Sequence, residues 1–487
     1  MENRIQKISL LEKVGYSLGD LAANLVFQTL TTYLAYFYIH IYKLETDHAS
    51  VIMLVVGLVA AFAFNPIIGA VADRTNSRWG KFRPWILYTS IPLGVMALLA
   101  FSTPDFAYKG KVIYAAVTYT LLLLLYAANN LPYSALSGVL TGDMKERNSI
   151  SSIRFVAVMG AQFFVQVFML PIILHVGDGD KAAGMESVMT WLAIIGTVLL
   201  IITFLSTRER VKPPIEQKTP LKDDLSDLVK NKPWIILLSV TILIFTTLSI
   251  KGGSYIFYFE QYVDEGVLAK FISPLTNILP ENVLGWFGSD ARSTGFGLFN
   301  GGGIIFMIVG IGISKRLADK YGKRDVYKWG LFISTIFVLA FVFFPAQSVS
   351  LMFISQILHG FFYGITIPVL WAMVADVADY SEWKNGRRAT AIVFSAMMVG
   401  LKSGLSIGQA LVAWILGLYG YVNESDLPDG QALIQPESVA QGSKMLISVY
   451  AAIPFLIAFV LLFFYEINKA KEVQIETELA ERSKNSK

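Results

Sequence analysis

Long apolar runs separated by short polar stretches set the pattern of this chain. The runs cover residues 19–42, 51–71, 85–101, 112–131, 155–174, 189–205, 235–250, 303–313, 330–344, 351–374, 391–418 and 445–464, numbered here spans 1 to 12. Allowing for tilt and short polar interruptions, each predicts a helix of about 20 residues, enough to cross a hydrocarbon core. Helices are required because a backbone in lipid has to satisfy its own hydrogen bonds. The expectation is an all-α membrane protein with twelve transmembrane helices.

Span 1 breaks the apolar pattern in a regular way. Its opening, "GDLAANLVFQ", places Asp20, Asn24 and Gln28 at four-residue steps, which puts them on one helix face. A carboxylate and two amides can each take or give several hydrogen bonds, as sugar hydroxyls require. The plainer alternative for Asp20 is a carboxylate capping the helix or pairing with a loop base.

Composition agrees with the span count. Of 487 residues 54% are hydrophobic and only 16% charged, against about a quarter charged in soluble domains. No cleavable signal peptide is apparent at the start. With the N-terminus inside, most of the 40 Lys and Arg fall in alternate loops and the C-terminal tail. That bias predicts a multi-pass cell-membrane protein with both termini cytoplasmic. It also accounts for the net charge of +4, so no nucleic-acid partner is implied. With no Cys in the chain, disulfides, thiolate metal sites and Cys nucleophiles are excluded. His40, His48, His175 and His359 lack metal-ligand spacing and read as structural; no cofactor is expected. No convergent set of nucleophile, base or metal ligands points to an enzyme.

The chain also repeats itself. After span 2 it reads "GAVADRTNSRWGKFRPW", with Asp73, Arg74 and Arg78; after span 8 it reads "SKRLADKYGKRDVYKW", with Asp319 and Lys320 matching the first pair. The separation is about half the chain, as a duplicated unit would give. Two pseudo-symmetric six-helix halves are expected, 1–206 and 234–466, with a cytoplasmic linker at 207–233 and a tail at 467–487. The linker's Pro and charge content is that of a connecting segment. Outside, "DEGVLAKFISPLTNILPENVLGWFGSDARS" could form a short amphipathic element, and "VNESDLPDGQALIQPESVAQGS" reads as a plain polar loop.

Six stretches together resemble one family: "GYSLGDLAANLVFQ", "NPIIGAVADRTNSRWGKFRPW", "NNLPYSAL", "IKGGSYIFYF", "ADVADYSEWKNGRRA" and "GLKSGLSIGQAL". In order and spacing they are similar to the glycoside-pentoside-hexuronide:cation symporters of the major facilitator superfamily, which include the melibiose and xyloside permeases. The resemblance covers nearly the whole chain. It implies the major facilitator fold, a small-molecule sugar or glycoside as substrate, cation-coupled transport by alternating access, and a monomer, since one chain holds both halves. The rival readings are an uncoupled sugar facilitator and a membrane sensor that binds sugar without moving it.

The resemblance also assigns residues. Asp20, Asn24, Gln28, Asn130, Tyr133, Arg154, Lys251, Tyr255, Trp371 and Lys402 are the candidates for substrate binding, with the aromatics as stacking platforms. Arg154 is equally readable as a gate or a positive-inside anchor. Asp20 and Asn65 are the coupling candidates. Asp73, Arg74, Arg78, Asp319, Lys320, Asp376, Asp379, Glu382, Arg387 and Arg388 form the expected cytoplasmic gate, the acids of "ADVADYSEWKNGRR" pairing with Arg387 or Arg388. Two departures matter. The span 2 acids that help hold Na⁺ in relatives fall at Ala61 and Asn65, and a span 4 acid falls at Asn130. Amides can ligate a hard cation but cannot neutralise it, which puts Na⁺ in doubt and leaves H⁺ coupling through Asp20. Lys402, whose usual partners are those acids, then needs Asp20 or a bound anion. Two cavity cations, Lys251 and Lys402, point toward an acidic substrate such as a hexuronide.

Overall fold

In the computed structural model, residues 8–141, 143–210, 230–276, 290–385, 390–422 and 434–485 are described. Eleven helices among them are long and apolar enough to cross a membrane: Thr46–Ala72, Arg83–Ala100, Tyr108–Leu140, Ser149–Val176, Lys181–Ser206, Lys232–Gln261, Ala291–Tyr321, Lys323–Phe343, Val349–Lys384, Val393–Leu418 and Glu437–Phe464. These are spans 2 to 12. Span 1 is the helix Leu10–Tyr36, which continues through a π turn at Phe37–Ile41. Glu12, Lys13 and Asp20 dilute its apolar character.

Local chemistry fixes the helix ends. Ser9 accepts from the Glu12 backbone N–H at 3.2 Å, with Glu12 in the position a capping box uses. Asp180 caps span 6. Asn231 caps span 7 ahead of Pro233, a residue suited to the first helical turn. Span 12 starts at Glu437, not near Met445 as its hydropathy suggests, because Val439 and Ser443 are buried and the helix runs on from Pro436. "PESVAQGS" is therefore largely helix; residues 423–433 lie outside the described set. Glu265–Thr276 forms the short helix expected after span 7.

Among the described residues four π turns interrupt the spans, at Phe37–Ile41, Ala60–Phe64, Phe164–Phe168 and Leu446–Tyr450. Three of them stand shortly before a proline, at Pro66, Pro171 and Pro454. Proline lacks the N–H that would bind the carbonyl four residues back, and widening the preceding turn accommodates the loss.

The chain divides into two compact units, one of Met1–Glu216, Leu275–Gly297 and Val422–Ile434 and the other of Gln217–Pro274, Leu298–Tyr421 and Gln435–Lys487. Within the first, span 1 packs on spans 5 and 6, and span 3 on spans 4 and 6; within the second, span 7 packs on 11 and 12, and span 9 on 10 and 12. The same pairings thus recur six spans later. Small residues permit the closest approaches. A β-carbon on Gly404 would run into the Ile242 carbonyl, and one on Gly408 into Ser249 and the Thr246 carbonyl. The "GLKSGLSIG" stripe is in this way the packing face of span 11 on span 7. Exposed apolar rows such as Val51, Val55 and Val59 suit lipid contact.

The C-terminal segment is the helix Lys469–Asn485. Ile475 is buried in the second unit's core and Leu479 packs against it. It is therefore a docked element rather than a trailing tail.

Candidate functional site

In the first unit the polar face of span 1 is built as its spacing suggests, with one addition. Stepping back four residues from Asp20 gives Tyr16, which completes the ladder Tyr16, Asp20, Asn24, Gln28. Asp20 is buried, and its carboxylate pairs with the Arg154 guanidinium of span 5. Arg154 is therefore not a surface anchor: it stands inside span 5, and its guanidinium also lies 5.4 Å and 5.5 Å from the Tyr16 and Tyr133 rings. Those rings stack at 4.6 Å. The Tyr16 hydroxyl donates to the Tyr133 carbonyl at 2.9 Å, and the Tyr133 hydroxyl donates to the Tyr16 carbonyl at 2.7 Å. This reciprocal lock holds spans 1 and 4 together beneath the ion pair. Gly19 makes room for it, since a β-carbon there would meet the Tyr133 ring.

Two expectations change as a result. Tyr133 is fully buried and its ring lies against Tyr16, so it is a structural support for the pair and not an open platform for a sugar ring. Asp20 is engaged by Arg154 within its own unit, so it is not held in reserve for Lys402. Farther along the face, the Asn24 amide donates to the Asp20 carbonyl at 2.9 Å. Gln166 of span 5 donates to the Gln28 side-chain carbonyl at 3.3 Å. The sequence reading missed Gln166; it occupies the π turn before Pro171, and a polar residue within such a turn was the available signal. Asn65 follows the π turn of span 2 and is half-buried. Asn130 is half-buried, and among the described residues its side chain makes no hydrogen bond. Its neighbour Asn129 is buried and donates to Thr89 at 2.8 Å.

The second unit holds a separate cluster. Lys251 of span 7 is only 5% exposed, its ammonium 5.5 Å from the Tyr255 ring. Among the described residues it has no ion-pair partner. Tyr255 is buried and donates to the Gln356 side-chain carbonyl of span 10 at 2.8 Å, while Phe299 packs edge-on against its ring at 5.1 Å. Like Tyr133, it is packed in rather than open for stacking. His359, one turn beyond Gln356, sits 2.8 Å from Ser334 and stacks on Tyr363, which agrees with a structural histidine. Trp371 stacks parallel to Phe394 with centroids 6.5 Å apart. Lys402 is half-buried on span 11.

At the span ends, Asp376 does not wait for Arg387 or Arg388, which lie outside the described residues. It accepts from Lys323 at 2.7 Å, and Lys323 also pairs with Glu472 of the C-terminal helix at 2.6 Å. Trp383 donates its indole N–H to Glu478 at 2.5 Å, and Arg482 donates to the Trp383 carbonyl at 2.9 Å. The backbone carbonyls of Asp319 and Lys320 accept from Lys469 at 2.9 Å and 3.0 Å. Asp379 and Glu382 are half-buried; Arg74 and Arg78 are exposed. Asp73 ends span 2, and its side chain is not among those described. The described residues contain no group of three or more His, Asp or Glu that could hold a metal ion.

Comparison with known proteins places this geometry in context. A family model described as MFS/sugar transport protein matches residues 15–280 and 289–469. The inner membrane symporter YicJ of Escherichia coli is 34% identical over 414 residues, covering 85% of this chain and 84% of its own. The isoprimeverose transporter of Lactiplantibacillus pentosus is 30% identical over 416 residues, covering 84% and 81%. Among solved structures, a bacterial homologue of the human lysosomal transporter Spinster superposes with a TM-score of 0.63 at 12% identity, covering 94% of this chain and 95% of its own. That likeness is one of fold.

Proposed function

The chain belongs to the MFS/sugar transport protein family, and from that membership we propose that it is a proton-coupled symporter of a glycoside, oligosaccharide or hexuronide. As a member it is a multi-pass membrane transporter of the major facilitator fold that moves sugar by alternating access, not an enzyme. The observation that carries the finer reading is the buried Asp20–Arg154 pair at the head of the Asn24, Gln28 and Gln166 amides. Amides on one face offer donors and acceptors to sugar hydroxyls. The carboxylate–guanidinium pair supplies the switch, because a proton placed on Asp20 cancels the charge that holds Arg154. Loading a proton and releasing Arg154 are then one event, and the freed guanidinium can turn to the substrate.

Na⁺ is the weaker coupling ion in this proposal. Ala61, Asn65 and Asn130 offer at most amide oxygens where a hard cation favours carboxylates. Coupling of some kind is supported by relatives named symporters. We place the protein in the cell membrane as a monomer with both termini cytoplasmic, as the Lys and Arg bias implies.

The deciding experiment is sugar uptake into proteoliposomes under imposed proton and Na⁺ gradients, wild type against Asp20→Asn. Proton-driven accumulation that the substitution reduces to equilibration supports the proposal. Equilibration by the wild type under either gradient would make it an uncoupled facilitator, and binding without uptake a sensor. A second reading concerns the substrate's charge. Lys251, buried without a carboxylate partner among the described residues, favours a substrate bearing an anion, since an unpaired charge in a span is costly. Competition by glucuronides but not by neutral glycosides supports that reading; the reverse pattern refutes it.

A further inference from the structure

The two repeated loops share a feature beyond their charges. Each turns at a glycine in the left-handed region, Gly80 at φ 113° and Gly322 at φ 89°, within the matching triplets Trp79-Gly80-Lys81 and Tyr321-Gly322-Lys323. Gly80 stands seven positions after Asp73 and Gly322 three after Asp319, so the second copy is tighter by about one helical turn. In both copies the empty side of the glycine faces the segment that leaves the sixth span of the same half. A β-carbon on Gly80 would collide with the Glu209 carboxylate, and one on Gly322 with the Lys469 side chain.

The contacts made there are complementary in sign. Glu209 accepts from three successive backbone N–H groups, those of Lys81 at 2.8 Å, Phe82 at 2.7 Å and Arg83 at 3.0 Å. A carboxylate thereby sits on the positive N-terminal end of span 3. Lys469 donates to two successive carbonyls, Asp319 and Lys320, placing an ammonium on the negative C-terminal end of span 8. Each segment is also anchored beyond its key residue. Arg210 makes two bonds to Glu12 of span 1, at 2.6 Å and 2.7 Å, and its backbone N–H donates to Val139 at the end of span 4. Beyond Lys469, Glu472 holds Lys323 and Glu478 holds Trp383.

From this we infer that the segments after spans 6 and 12 are equivalent straps, and that Glu209 and Lys469 are positioning residues that fix the two charged cytoplasmic loops for transport. The first four residues of the expected linker, Thr207–Arg210, therefore belong to the transport unit. An exposed loop bearing Asp73, Arg74 and Arg78, or Asp319 and Lys320, can make and break ionic contacts reproducibly only if its backbone is held. Glu209 and Lys469 hold it through backbone groups, which leaves the side chains of Arg74, Arg78, Asp319 and Lys320 available.

The chain has no Cys, so one introduced thiol gives a clean probe. A nitroxide is placed on Asn76→Cys in the first loop or on Tyr321→Cys beside the second, in full-length protein in proteoliposomes, and its mobility is read by electron paramagnetic resonance. Each labelled parent serves as its own reference for uptake. Glu209→Gln should mobilise the label at 76 and leave that at 321 unchanged; Lys469→Met should do the opposite, with Lys469→Arg restoring order. Each should lower the maximal uptake rate about fivefold or more while the half-saturating sugar concentration stays within about twofold, the split expected when loop positioning and not substrate binding is lost. Unchanged label mobility would overturn the inference. So would mobilised labels with an unaltered maximal rate, or a falling melting temperature with neither change, since the straps would then serve folding alone. The uptake arm rests on the transport reading; if the wild type carries no sugar, the label arm still decides whether the straps position the loops.

Discussion

Replacing Arg154 by Ala tests the central pair most directly. The substitution leaves Asp20, whose side chain is 8% exposed, buried without its counterion. Breaking a buried pair from one side costs about 3–5 kcal/mol. Arg154 is itself a quarter exposed, so water screens part of its charge and the lower end, about 3 kcal/mol, applies. Losing the guanidinium from the Tyr16 and Tyr133 rings adds about 0.5–1 kcal/mol. Removing both charges, as in Asp20→Asn with Arg154→Gln, leaves no stranded ion and should recover most of the loss, because a well-packed neutral replacement of a buried pair is often neutral or better. The assay is the melting temperature of purified protein in detergent, followed by intrinsic fluorescence of its nine Trp. The expected order is wild type and double variant together, with Arg154→Ala well below both. If Arg154→Ala melts with the double variant, Asp20 gains nothing from its partner, and protonation could not release Arg154 in the way proposed.

Three further outcomes follow from packing and charge. Gly404→Ala should destabilise by about 1–3 kcal/mol through overpacking against the Ile242 carbonyl, whereas Gly69→Ala, with nothing near its β-carbon, should melt as wild type; equal melting of the two would refute the close 7–11 contact. Lys251→Met should leave stability unchanged or raised, because it removes an unpaired buried ammonium, yet it should abolish uptake of an anionic glycoside; a clear fall in stability would mean the lysine has a counterion. The Glu478 carboxyl is held below its ordinary range by the Trp383 indole N–H, then by Gln474. A depressed carboxyl stabilises above its unfolded value and loses that contribution as pH falls through the folded one. Hydrogen-exchange protection of the C-terminal helix, corrected for the intrinsic exchange rate at each pH, should therefore be steady from neutral pH to about pH 5 and fall only below about pH 4; loosening near neutral pH would contradict the clasp.

How much of this was legible beforehand differs by feature. The four-residue steps of Asp20, Asn24 and Gln28 are local, so one shared face could be read off the chain, and extending the step to Tyr16 would have found a fourth member. Arg154 and Gln166 could not be assigned in the same way, because their roles depend on how span 5 is rotated against span 1. Tyr133 and Tyr255 could not be told from open stacking platforms for a related reason. An aromatic residue in a polar context looks open in sequence, and only its neighbours decide whether its faces are covered, as Tyr16 covers Tyr133.

By itself the sequence determined the spans and the family, because burial in lipid and short motifs act on neighbours a few residues apart. Tertiary structure alone decided which charge meets which: Asp20 with Arg154, Lys323 with Asp376 and Glu472, Glu209 with the start of span 3. Those partners lie between about 50 and 150 residues apart, and the attraction between two charges depends on their separation in space, to which distance along the chain is no guide.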